Sequence, residues 1–270
     1  MGKFDGQVVL ITGASSGIGA ALAREFARGG ADLALAARRV DRLEELAREL
    51  AQDGRRTLAL ECDVTRDGDL ERAAARTRET LGKIDVVVAN AGFGVVGRLD
   101  RLTLDDYRRQ LETNVFGVLR TIYATLEDLK RSRGRLVLIG SVSGHVALPA
   151  TSAYAMSKFA VRALAGALRH ELARDGVSVV LISPGFVESE LRQVDNRGQH
   201  HDEAPDSIRK SLVMPTQTAA RQIVQAVARR RRERVITKLG KTAVFLERHT
   251  PWLLHTAVEL AGVRGRRQPD

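Results

Sequence analysis

The stretch Val8-Val9-Leu10-Ile11-Thr12-Gly13-Ala14-Ser15-Ser16-Gly17-Ile18-Gly19 decides how the chain is read. Four apolar residues form a buried strand. A turn rich in glycine and serine follows. A helical pattern carrying Ile18, Leu22 and Phe26 then runs to Gly29-Gly30. The glycine spacing is G-x-x-x-G-x-G, from Gly13, Gly17 and Gly19, and not the commoner G-x-G-x-x-G. The physics is the same: glycines let the backbone turn tightly and come close to a pyrophosphate. A helix starting near Gly17 offers unpaired N–H groups and the positive end of its dipole to that anion. Gly13, Ser15, Ser16, Gly17, Ile18 and Gly19 are therefore the candidate phosphate cradle. A purely structural turn is the alternative, and the position between a first strand and a first helix argues against it.

Working outward, β-type runs alternate with helical patterns. Leu33–Ala36, Thr57–Leu60, Ile84–Val88, Arg135–Ile139 and Val177–Leu181 read as strands. Asp41–Leu50, Leu70–Leu81, a long region from Leu104 to Arg131, and Ala153–Ala173 read as helices. Strands that are nearly all apolar are buried on both faces, which is the mark of a parallel sheet. Regular alternation implies right-handed crossovers and a Rossmann-type, doubly wound α/β fold in one domain. Residues 1–238 form its body. Residues 190–212 are polar and irregular and read as a lid over the site. Periodic elements resume at Ala219–Ala228 and Arg234–Thr237. Residues 239–270 read as a helical extension, broken into two short amphipathic helices by Pro251.

The 270 residues are 44% hydrophobic and 28% charged, which excludes disorder over the whole chain. The one cysteine, Cys62, rules out an intramolecular disulfide and any zinc site with two thiolates. Cys62 reads as a small core residue, and a reducing, cytoplasmic setting is expected. No apolar run reaches the roughly 18 residues a membrane span needs, and strand-like sequence from Gln7 leaves no room for a signal peptide. Net charge is +10, and it is uneven: residues 229–270 hold 11 Lys/Arg against 4 Asp/Glu. Arg229-Arg230-Arg231-Arg232-Glu233-Arg234 is the densest run. Aromatics are only 4% of the chain, so nucleic acid is not an expected partner. A solvated surface is the plainer reading, with an anionic membrane surface as the rival.

The second strand ends Ala36-Ala37-Arg38-Arg39, with no carboxylate to bond a ribose 2′-hydroxyl. Arginine there suits a 2′-phosphate, so NADP is expected over NAD. Arg38 is the expected direct ligand, with Arg39 on or near the adenine. Tyr154-Ala155-Met156-Ser157-Lys158 places a phenol and an amine on one face of a helix. A free phenol titrates near about 10. A neighbouring ammonium favours its phenolate and tunes it for proton exchange with a carbonyl or carbinol oxygen.

With these pieces together, residues 5–237 resemble the short-chain dehydrogenase/reductase family. The shared marks are Thr12–Gly19, Asp63-Val64-Thr65, Asn90-Ala91-Gly92, Asn114, Ser141, Tyr154 with Lys158, and Pro184-Gly185. The resemblance implies Tyr154 as acid/base and Ser141 as the holder of the substrate oxygen, with Ser143 as its competitor. It implies Lys158 on the nicotinamide ribose and Asn114 as holder of a relay water. Asp63 and Val64 would contact the adenine, and Asn90, Ala91 and Gly92 the ribose region. Pro184, Gly185 and Val187 would cover the nicotinamide, and Ser189 stands where the family has threonine. An NADPH-dependent carbonyl reductase or secondary alcohol dehydrogenase follows. A nucleotide-binding regulatory protein and a membrane-peripheral reductase of lipids are the alternatives. The substrate is expected to be an apolar carbonyl or alcohol, from Phe93, Val95, Val96, Val146, Leu148, Phe186 and Leu191. A homo-oligomer, dimer or tetramer, is expected through the long helices. His145 could face the substrate or serve its loop. His200 and His201 fall in the lid, and no metal is expected. The extension could cap the pocket or a subunit interface, lie on a membrane with the basic tail, or be loosely ordered.

Overall fold

The structure is a computed structural model and describes residues 2–52, 54–188, 195–196 and 210–260. Its centre is a seven-stranded parallel sheet. The strands are β1 Val8–Thr12, β2 Asp32–Ala37, β3 Thr57–Glu61, β4 Val86–Ala89, β5 Arg135–Ile139, β6 Ser178–Ser183 and β7 Glu233–Val235. They lie in the order β3-β2-β1-β4-β5-β6-β7. The chain winds one way from β1 to β3 and the other way from β4 to β7. The direction reverses between β1 and β4, which opens a crevice at the carboxyl ends of those strands.

The strands bury both faces because their side chains alternate between two helical layers. Val9 and Ile11 of β1, with Val137 and Ile139 of β5, join one core cluster. That cluster takes in α1 Gly17–Arg28, α2 Val40–Gln52 and α7 Thr216–Ala228. Val8, Leu10, Leu136 and Leu138 join the other. Here the cover is α3 Asp69–Leu81, α5 Gly117–Ser132 and α6 Ser152–Glu171.

The long helical region expected from Leu104 to Arg131 is present, in three parts. It consists of α4 Leu104–Leu111, a π-helical segment Glu112–Phe116, and α5. Thr103 opens α4 with a capping box, trading hydrogen bonds with Asp106. The π segment adds a residue to the turn and so re-aims what it carries, and it carries Asn114. Short apolar periodicity cannot show such a bulge.

The extension is two helices, α8 Lys238–His249 and α9 Pro251–Leu260. The hydroxyl of Thr237 caps α8 by accepting the N–H of Gly240 at 3.1 Å. Val244 is buried, but Phe245 and Trp252 are 60% and 67% exposed. Among the described residues these two aromatics are turned largely to solvent. Among the described residues no helix is long and apolar enough to cross a membrane.

Candidate active site

The glycine-rich turn sits at the carboxyl end of β1. Ser16 precedes α1 in an extended conformation, makes no side-chain cap, and the first turn holds no acidic residue. The leading N–H groups of α1 are thus uncapped by side chains and suited to an anion. Gly13 has φ 66, and a Cβ on it would stand 2.8 Å from the Cα of Ala91. Only glycine allows the first and fourth strand ends to come this close. Asn90 locks that approach. Its Nδ2 donates to the carbonyls of Thr12 at 3.0 Å and Gly13 at 3.1 Å. The N–H groups of Asn90 and Ala91 both donate to the Thr12 hydroxyl. The amide of Asn90, expected to line a ribose, therefore holds the turn in shape.

The two arginines stand differently toward the turn. Arg38 is exposed, whereas the half-buried guanidinium of Arg39 reaches the turn. It donates to Ser16 Oγ at 2.7 Å and to Ser15 Oγ at 3.3 Å. Arg39 thus stands at the phosphate cradle, where the chain enters α2 at Val40. Asp63 accepts from the N–H and hydroxyl of its neighbour Thr65 at 3.0 and 2.7 Å, shaping the turn after β3. Val64 beside it is buried. These donors, N–H groups with a guanidinium and hydroxyls, fit a dinucleotide's phosphates.

The second half of the site lies beyond β5 and β6. The Ser141 hydroxyl accepts the N–H of Ser143 at 3.0 Å and lies near enough to the Tyr154 phenol to favour its ionised form. Between the two serines, Ser141 is the one that acts on the phenol. Enclosure by protein pushes the Tyr154 phenol above its ordinary range, and the nearby Ser141 hydroxyl opposes that rise. The lysine-driven lowering expected above is not what dominates here: Lys158 Nζ stands 5.7 Å from the Tyr154 ring centroid and donates to the carbonyl of Ile139 at 2.9 Å. Burial lowers the Lys158 amine to about 8. The N–H of Val142 donates to the carbonyl of Pro184 at 2.9 Å, which ties the serine loop to Pro184-Gly185. The Val187 side chain is buried in the core, and its backbone bridges Met214.

Asn114 is buried. It accepts the N–H of Phe93 at 3.1 Å and donates to the Phe93 carbonyl at 3.0 Å and to Ser157 Oγ at 3.1 Å. Ser157 in turn donates to the carbonyl of Tyr154 at 2.7 Å. Asn114 thus joins the loop after β4 to the turn that carries the phenol.

His145 is buried between Ser183 and Glu233, with Nε2 3.0 Å from Ser183 Oγ and 3.4 Å from a Glu233 oxygen. Cys62 is buried, and desolvation first, then Asp69 and Asp63, push its thiol to about 12. It is a core residue and a poor nucleophile. Ser189, Leu191, His200 and His201 lie outside the described residues. Gln110, Ser157 and Asn196 join the loop and catalytic turns without having been singled out in the sequence. Gln110 had one signal, its place four residues before Asn114 on the same helical face.

Comparison with known proteins agrees with this geometry. The family model of the short chain dehydrogenases matches residues 7–200. Oxidoreductase UcpA of Salmonella typhimurium is 40% identical over 210 residues, 77% of this chain and 79% of the relative. An uncharacterized oxidoreductase of Mycobacterium tuberculosis is 42% identical over 189 residues, 68% of this chain and 75% of the relative. The alcohol dehydrogenase of Thermococcus sibiricus, solved with 5-hydroxy-NADP, superposes with a TM-score of 0.75 at 32% identity, covering 85% of this chain and 95% of that one. A short chain dehydrogenase/reductase of Burkholderia phymatum in complex with NAD shares the fold at 24% identity, with a TM-score of 0.82 over 100% and 99% of the two chains. The crevice at the strand reversal, the uncapped helix end and the Ser141–Tyr154–Lys158 cluster lie in a chain that belongs to the short-chain dehydrogenase/reductase family of NAD(P)-dependent oxidoreductases.

Proposed function

We propose that this protein is an NADPH-dependent carbonyl reductase that also runs in reverse as a secondary alcohol dehydrogenase. The observation that carries this reading is the gathering of Ser141, Tyr154 and Lys158, with Lys158 one helical turn from the phenol and anchored to Ile139, two residues before Ser141. A bound nicotinamide coenzyme supplies the hydride to the carbonyl carbon. Ser141 holds the carbonyl oxygen beside the phenol, and Tyr154 gives its proton to that oxygen as the alcohol forms. Lys158 stabilises the phenolate left behind until it regains a proton from solvent.

Arg39 on Ser15 and Ser16 supports NADP over NAD, since a guanidinium matches a 2′-phosphate. Phe93, Val96 and Phe186 remain partly exposed around the crevice and support an apolar ketone or aldehyde. Val95 and Val146 do not, because both are buried. Exposed Phe116 at the end of the π segment and Tyr123 on α5, with Met156 and Phe159 on α6, support a homo-oligomer through those helices. A single buried thiol supports a reducing, cytoplasmic setting.

The test is a panel of ketones and aldehydes with coenzyme oxidation as readout, run with NADPH and with NADH. Turnover of an apolar carbonyl with NADPH ahead of NADH is expected. A protein that binds NADPH yet reduces no carbonyl would favour the regulatory reading. Flotation with anionic vesicles addresses the membrane-peripheral reading, which exposed Phe245 on α8 and Trp252 on α9, with Lys238 and Lys241 also on α8, favour.

A further inference from the structure

Gln110 lies in the last turn of α4 and is fully buried. Both ends of its carboxamide are engaged. Oε1 accepts the N–H of Val95 at 2.5 Å, and Nε2 donates to the carbonyl of Phe93 at 2.9 Å. Asn114, four residues on, takes the N–H and the same carbonyl of Phe93. Two side-chain amides thus hold the main chain at residues 93–95, where it leaves Asn90-Ala91-Gly92 at the end of β4. The other edge of the loop is held by residues distant in the chain. Asn196 pairs with both the N–H and the carbonyl of Val96 at 3.0 Å each. The N–H of Gly97 donates to the carbonyl of Ala150 at 2.8 Å, between Ser141 and Tyr154 in the chain.

This loop has no ladder of its own, so its buried polar groups depend on these side chains. An apolar residue at 110 could fill the volume but would leave the Val95 N–H without its partner. Through Asn114 and Ser157 the same network reaches the carbonyl of Tyr154. We propose that Gln110 is a positioning residue: it fixes the 93–97 loop as the wall that seats the carbonyl substrate against Ser141 and Tyr154. The proposal rests on the carbonyl-reductase reading for its kinetics, but not for its geometry. The phosphate cradle is anchored separately, through Thr12 and Asn90, so coenzyme binding does not depend on Gln110.

The test uses the full chain with Gln110→Met, close in volume and without either hydrogen bond, and Gln110→Glu. For the best carbonyl from the panel, Gln110→Met should raise KM about tenfold, which corresponds to about 1.4 kcal/mol. Its NADPH Kd should stay within about twofold of wild type. Gln110→Glu, when protonated, can again accept from Val95 and donate to Phe93, so its KM should fall back toward wild type between about pH 8 and about pH 6 relative to the wild-type profile. Gln110→Met should show no such recovery. Amide hydrogen exchange of peptides spanning 93–97 should quicken in Gln110→Met while peptides of β1 stay unchanged. A wild-type KM in Gln110→Met, or an NADPH Kd that worsens as much as KM, overturns the proposal. If wild type reduces no carbonyl, the function proposed above fails, and unchanged exchange at 93–97 still overturns the role of Gln110.

Discussion

Lys158 is fastened to Ile139: its Nζ donates to the Ile139 carbonyl at 2.9 Å, joining α6 to the last residue of β5. Ile139 lies two residues before Ser141, and Tyr154 lies one helical turn before Lys158. One contact between a strand end and a helix therefore links the segments that carry the three polar side chains. Burial also leaves the lysine ammonium easier to deprotonate than in water, with its pKa at about 8.

Tyr154→Phe should lower turnover by roughly 10² or more, the scale of lost general acid–base catalysis. The phosphate cradle lies on β1 and α1, so NADPH binding should survive. Steady-state kinetics beside a coenzyme titration check both halves. Near-normal turnover would remove Tyr154 from the mechanism.

Arg39→Ala should weaken NADPH by roughly tenfold or more and NADH much less, because a hydrogen bond to a charged group contributes roughly 1.5–3 kcal/mol. Arg38→Ala should cost less than Arg39→Ala, since Arg38 is exposed and Arg39 is seated on Ser15 and Ser16. Dissociation constants for both coenzymes in both variants decide the ranking. A larger loss in Arg38→Ala would bear out Arg38 as the direct ligand expected from sequence.

His145 should make the fold acid-sensitive. Burial first, then the charge of Arg162, lowers its imidazole from 6.5 to about 4, against the opposing pull of Glu233. Between those values the unfolded chain binds the proton and the folded chain does not. This residue's effect on stability is therefore lost progressively as pH falls from 6.5 to about 4. Thermal melts across that range should show a steeper decline in wild type than in His145→Asn. Equal slopes would show that His145 is not the group responsible.

The two helices of the extension should differ in what their removal does. A Cβ on Gly240 would come within 2.7 Å of the Val142 side chain, so α8 packs directly against the loop that carries Ser141. Arg248 of α8 also pairs with Glu233 of β7 at 3.0 Å. Deleting residues 251–270 should leave turnover within about twofold. Deleting 239–270 strips this packing and should lower both melting temperature and turnover, since lost contacts at a packed site usually destabilise by about 0.5–3 kcal/mol. Indistinguishable kinetics and melting for the two truncations would deny α8 any part in supporting the site.

The alternation of apolar runs with helical periods was enough, by itself, to imply the parallel sheet, because burial on both faces leaves few polar positions in a strand. Gly13, Gly17 and Gly19 betrayed the phosphate turn since their spacing is demanded by backbone sterics. Tyr154 and Lys158 could be paired from sequence because both lie on one helix, where four residues make a turn. What crosses between elements was decided only by the tertiary structure. Arg39 meets the turn where the chain enters α2. The π segment at Glu112–Phe116 aims Asn114 at Phe93 and Ser157, and no local periodicity announces it. Gln110 and Asn196 reach the 93–97 loop from 15 and 100 residues away, and Lys158 reaches Ile139 from 19. Such contacts depend on which strand ends the sheet order makes neighbours, so they appear only once the chain has folded.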